Sequence, residues 1–107
     1  MSVNNSENSS MVLAHVLFMD IVGYSKLPID GQTEVSEKLK KIVLNTKDVK
    51  TATAKDELIS LYTGDGMALV FLNNPLAPIE CAMEISRELS LNPDIELRMG
   101  VHSGIVE

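Results

Sequence analysis

From Met11 to Ile21 the chain carries eleven residues of which only His15 and Asp20 are polar, and this run constrains the fold most. It is about half the roughly 20 apolar residues that a membrane-spanning helix needs. No basic stretch precedes it as a signal peptide would require. Its length and its Val, Leu, Phe and Ile content suit a strand buried in the middle of a sheet. Such a strand needs a neighbour on each edge and cover on at least one face, and the later sequence must supply both. Residues 1–10, mostly Ser and Asn, have no apolar spacing and read as a disordered leader, which leaves 11–107 as one domain. With two Phe, two Tyr and no Trp, the core has to be aliphatic, with the six Met filling gaps.

The period then changes. Val35, Leu39, Ile42 and Val43 follow the i, i+4, i+7, i+8 stripe of a helix whose wet side holds Glu34, Glu37, Lys38, Lys40 and Lys41. Pro28, Asp30 and Gly31 mark its start, the spacing predicts helix over about Glu34–Thr46, and the polar stretch Lys47–Lys55 reads as its decay. Two strands are predicted at Glu57–Thr63 and Met67–Leu72, joined by Gly64-Asp65-Gly66, whose Gly and Asp are expected to supply positive φ angles for a tight turn. A second helix over Ala77–Ser90 places Ile79, Ala82, Met83, Ser86 and Leu89 on one side. In a last strand, Glu96–Val106, Leu97, Met99 and Val101 alternate with Arg98, Gly100 and His102. The order β-α-β-β-α-β predicts an α+β, ferredoxin-like fold: a four-stranded antiparallel sheet with both helices on one face and the other face open.

A net charge of −6 argues against nucleic acid and anionic membranes as partners, since both select for Lys and Arg. A nucleotide site remains compatible, because a bound divalent cation supplies local positive charge. A single cysteine, Cys81, rules out an internal disulfide and a Cys cluster for zinc and fits a reducing, cytoplasmic setting. It reads as a small core residue, and His15 as a core group with a satisfied hydrogen bond. His102 and Arg98 read as polar-side residues of the last strand, the latter suited to a dimer surface.

Asp20 shares a side of its strand with Val12, Ala14, Val16 and Phe18, where a carboxylate is costly unless paired or bound to a cation. After it come Ile21, Val22, Gly23, Tyr24 and Ser25, whose Gly would let backbone amides approach a phosphate closely. Taken singly, Asp20 reads as a cap of the following turn, and Asp65 as an ordinary turn residue. The topology brings them together: the first and third strands are central neighbours, so the end of one and the start of the other meet at one edge. Two carboxylates converging there repel unless a divalent cation sits between them, the oxygen-rich setting of a Mg²⁺ or Mn²⁺ site acting on phosphate.

Phe18-Met19-Asp20-Ile21-Val22-Gly23-Tyr24-Ser25, Thr63-Gly64-Asp65-Gly66-Met67-Ala68-Leu69-Val70-Phe71 and Arg98-Met99-Gly100-Val101-His102-Ser103-Gly104 resemble three successive blocks of the class III adenylate/guanylate cyclase domain. The resemblance implies a palm in which Asp20 and Asp65, helped by the Ile21 carbonyl, hold two metal ions, Mg²⁺ or Mn²⁺. It further implies that the amides from Val22 to Ser25 face the β- and γ-phosphates of ATP or GTP. The implied reaction is conversion of a nucleoside triphosphate to a 3′,5′-cyclic nucleotide and pyrophosphate, in a homodimer with the site between subunits. Where many adenylate cyclases place a purine-reading Lys, this chain has Leu61. The family's transition-state Asn and Arg have no counterpart in these 107 residues, so turnover by them alone is not expected. A non-catalytic metal- or nucleotide-binding, or dimerising, regulatory module is the alternative reading.

Overall fold

The computed structural model describes residues 12–106, so the expected leader lies outside the described residues. The apolar run forms β1 (Val12–Ile21), which a short 3-10 turn (Tyr24–Lys26) joins to helix α1 (Ile29–Leu44). Next come α2 (Lys47–Ala54), β2 (Leu58–Tyr62), β3 (Gly66–Leu72), α3 (Ala77–Ser90) and β4 (Leu97–Val106). The sheet has the order β2-β3-β1-β4 with every described pairing antiparallel. The expected α+β palm with β1 and β3 at its centre is what forms.

Alternation along the strands divides the sheet into two faces. Leu17, Met19 and Ile21 of β1 and Met67, Leu69 and Phe71 of β3 are buried beneath Leu39 and Val43 of α1. Val49 and Ala52 of α2, and Ala77, Cys81 and Ile85 of α3, complete that cluster. These alternate positions point one way because the side-chain period of a strand is two. Among the described residues no helix covers the other face, and there Ile59, Leu61 and Phe18 are each about half exposed.

Three local readings need correction. The stretch Lys47–Lys55 is not the decay of α1: Thr46 ends that helix and opens α2. Its hydroxyl donates to the Val43 carbonyl (2.8 Å), and its carbonyl accepts the amide of Lys50 (3.1 Å). Only Val49 and Ala52 of α2 reach the core, an apolar signal too thin to read against its Lys and Thr. Helix α1 begins at Ile29, so Asp30 and Gly31 lie in its first turn rather than ahead of it. In α3 the buried side is Ala77, Pro78, Cys81 and Ile85, while Ile79 and Met83 are about half exposed. Small Ala77 and Cys81 let the helix axis approach the sheet, which the bulkier stripe would prevent.

His15 is buried with its Nδ1 2.7 Å from the hydroxyl of Ser103, its register partner on β4, as a core histidine requires. Cys81 is fully buried, 3.5 Å from the Thr46 hydroxyl. Among the described residues no helix is long and apolar enough to cross a membrane.

Candidate functional site

The end of β1 and the start of β3 meet at one edge of the sheet. Asp20 stands opposite Gly66 on β3 and opposite Arg98 on β4. The amide of Ile21 donates to the Asp65 carbonyl at 2.7 Å, which ties the two acidic segments backbone to backbone. Gly66 makes this possible. A Cβ there would lie 2.8 Å from the Asp20 Cα and 2.9 Å from the Met19 carbonyl carbon, and closer still to the Met19 carbonyl oxygen. Gly66 therefore serves close strand approach, not turn geometry. None of Gly64, Asp65 and Gly66 has a positive φ, contrary to the expectation for a tight turn. Four residues, 63–66, separate the paired Tyr62 and Met67, and this wider loop closes through the Thr63 amide on the Gly66 carbonyl (3.0 Å) without a left-handed residue.

Asp20 lies on the side of β1 opposite Leu17, Met19 and Ile21, in a row where Val12, Val16 and Asp20 are half-buried, Phe18 exposed and Ala14 fully buried. Its carboxylate is paired, as that setting requires. Arg98 donates from Nε to Oδ1 (3.0 Å) and from Nη2 to Oδ2 (3.1 Å), a bidentate, charge-assisted pair. The hydrogen bond to Asp20 and the negative charges of Asp20 and Asp65 hold the Arg98 pKa above its ordinary value. Both carboxylates thus act on one cationic centre. The Asp65 carboxylate also accepts from the Thr63 hydroxyl at 3.4 Å.

Gly23, at φ 74°, turns the chain out of β1 into the 3-10 turn. The Val22 amide is spent on the Glu96 carbonyl (2.8 Å), so Val22 does not offer the amide expected of it. Among the described residues nothing accepts from the amides of Gly23, Tyr24 and Ser25, while the Lys26 and Leu27 amides close onto the Gly23 and Tyr24 carbonyls. Helix α1 steadies this turn: Gln32 donates to the Tyr24 carbonyl (3.1 Å) and Ser36 to the Tyr24 hydroxyl (3.3 Å).

Beside the acidic edge the open face forms a cleft of about 350 Å³, lined by Phe18, Asp20, Thr63, Ala68, Arg98 and Gly100 among others. Phe18 rises between small Ala68 and Gly100, its register partners, and Leu61 stands beyond Ala68, half exposed. The donors at the acidic edge are hard oxygens, suited to Mg²⁺ or Mn²⁺ rather than to a soft metal. Among the described residues no three His, Cys, Asp or Glu side chains gather into a ready-made cage. A pair of carboxylates completed by water and substrate oxygens is, however, how Mg²⁺ is ordinarily held. The Arg98 guanidinium, paired with Asp20 and drawn also by the charge of Asp65, is a stand-in positive charge at this edge, and by that criterion the residues fit a cation.

No family model and no curated protein matches the sequence. Solved structures do match. A bacterial light-regulated adenylyl cyclase superposes with a TM-score of 0.71 at 19% identity, over 91% of this chain and 56% of that one. An adenylate/guanylate cyclase/hydrolase from Silicibacter pomeroyi superposes with a TM-score of 0.58 at 26% identity, over 91% of this chain and 60% of that one. The chain thus spans little more than half the length of these structures, and it has the fold of a class III cyclase-like domain.

Proposed function

We propose that this domain is the metal-binding half of a cytoplasmic nucleotidyl cyclase site, which closes a nucleoside triphosphate to a 3′,5′-cyclic nucleotide with release of pyrophosphate. One observation carries the reading: Asp20 is in register with Gly66, and the preceding residue, Asp65, is tied to Ile21 through its carbonyl. Asp20, Asp65 and the Ile21 carbonyl would hold two ions, Mg²⁺ or Mn²⁺. Such ions supply activation of the ribose 3′-hydroxyl and neutralisation of the departing pyrophosphate. The unspent amides of Gly23, Tyr24 and Ser25 lie just past Asp20, where they would donate to the β- and γ-phosphates. Phe18 and Ala68 offer an apolar floor beside them, and Leu61 brings neither charge nor hydrogen bond to a purine edge, so ATP and GTP should bind alike.

Among the described residues the cleft is lined by no Asn, and Arg98 is its sole Arg. The further groups for the transition state would have to come from sequence outside these 107 residues, in a homodimer with the site between subunits, and turnover by these 107 residues alone should be negligible. Losing one such electrostatic donor costs about 10²–10³ in rate.

Thermal unfolding tests the reading. Mn²⁺ should raise the melting temperature of the wild type by linkage, about 2.7 kcal/mol at a hundredfold excess over Kd, and ATP or GTP should add a Mn²⁺-dependent increment. Asp20→Asn should abolish both responses. Equal shifts in wild type and Asp20→Asn would leave the acids with turn chemistry alone and overturn the reading.

A further inference from the structure

We infer that Arg98 is the built-in counter-ion of this site: it closes the Asp20 carboxylate in the metal-free chain, must be displaced when a divalent cation binds, and so sets the metal affinity. The inference rests on the reading of Asp20 as a metal ligand. Asp20 and Arg98 face each other in register across β1 and β4, so the sheet itself presets their approach. The pair is bidentate, with both carboxylate oxygens engaged at 3.0 and 3.1 Å. A Mg²⁺ ligated by either oxygen would sit at about 2.0–2.1 Å from it. That places two like-signed centres on one carboxylate, with the Asp65 charge already acting on the same guanidinium. Cation and Arg98 therefore compete for Asp20.

The two partners differ in freedom. The Arg98 side chain is 73% exposed and the Asp20 side chain 37% exposed. Arg98 can therefore swing into solvent by rotamer change alone, with no cost in core packing, whereas Asp20 is the less mobile end. A device of this kind keeps two adjacent acids from repelling one another while the metal is absent, and yields when it arrives. Among the described residues no other Lys or Arg lines the cleft, so among them the role falls to Arg98.

The experiment titrates Mn²⁺, read by the free-ion EPR signal, against wild type, Arg98→Gln, Arg98→Lys and Asp20→Asn, with melting temperatures taken without and with saturating Mn²⁺. Arg98→Gln should bind Mn²⁺ roughly three- to tenfold more tightly, reflecting a lost exposed ion pair and a removed like charge. It should melt below wild type without metal and level with it in saturating Mn²⁺, because the displaced side chain no longer contributes. Arg98→Lys, which keeps the charge but not the two-point contact, should fall between them, and it carries the test should Arg98→Gln not fold. Wild type that binds Mn²⁺ while Arg98→Gln binds equally or more weakly overturns the competition and leaves the metal reading standing. Wild type that binds no better than Asp20→Asn overturns both.

Discussion

Gly66→Ala offers the sharpest test of how the site is held together. The added methyl would meet the backbone of β1, at 2.8 Å from the Asp20 Cα and 2.9 Å from the Met19 carbonyl carbon. Backbone atoms of a central strand cannot rotate aside as a side chain can, so β1 and β3 must part at this end. Parting them strains or breaks the Ile21 amide bond to the Asp65 carbonyl (2.7 Å) and the Thr63 amide bond to the Gly66 carbonyl (3.0 Å). Two hydrogen bonds at about 1 kcal/mol each, plus about 1–3 kcal/mol of overpacking, give a loss of about 3–5 kcal/mol. For a domain of this size that lowers the melting temperature by about 15–30 °C. The matched control is Gly64→Ala, two residues away, where an added Cβ meets nothing within 4 Å and φ is not positive. It should stay within about 0.5 kcal/mol of wild type. Urea denaturation followed by circular dichroism gives both values, and similar losses in the two variants would refute the close-approach argument.

Two further predictions follow from burial and charge on the helical side. Burial, then a hydrogen bond to Glu80 and the charges of Glu80 and Glu84, against the opposing Lys47, raise the Asp48 pKa from 3.8 to about 6. The native chain then keeps a proton that the unfolded chain releases between those values, so stability falls as pH rises through about 6, by about 1–2 kcal/mol after discounting for solvent screening. Asp48→Asn should remove that loss, and melting temperatures at pH 4 and 7.5 that show the same slope in both proteins would count against it. Burial also pushes the Cys81 thiol up to about 11, so a thiol reagent such as dithionitrobenzoate should label the native chain only as fast as it unfolds, with prompt labelling in urea.

What could be read in advance depended on whether the signal was local. Period and composition were enough to place β1, the body of α1 and the two hairpin strands, because β1, α1 and β3 each bury an apolar side and the Gly-Asp-Gly segment marks the turn. The meeting of Asp20 with the segment around Asp65 was legible too, since topology alone makes β1 and β3 neighbours. In α3 two apolar stripes adjoin, Ile79–Met83 and Cys81–Ile85, and sequence does not say which one the sheet takes. The Arg98–Asp20 pair spans 78 positions and depends on the exact β1–β4 register. Laying Arg98-Met99-Gly100 antiparallel to Phe18-Met19-Asp20 would have found it, with the core Met of each strand fixing the alignment.

That alignment also explains why the site is as firmly specified as the core. On the open face the strands place side chains in rows: Ile59, Val70, Val16 and His102; then Leu61, Ala68, Phe18 and Gly100; then Gly66, Asp20 and Arg98 at the edge. The rows run from apolar to charged, and the cleft lies where the last two meet. A slip of β1 by one residue would turn every side chain over. Asp20 would then enter the cluster of Leu39, Val43 and Phe71, while Leu17 and Met19 would face water. Burying an unpaired carboxylate and exposing two large apolar groups both oppose that slip, by several kcal/mol in total. The hydrophobic face thus selects the one register in which Asp20, Gly66 and Arg98 share a row, and no residue of the site has to enforce it.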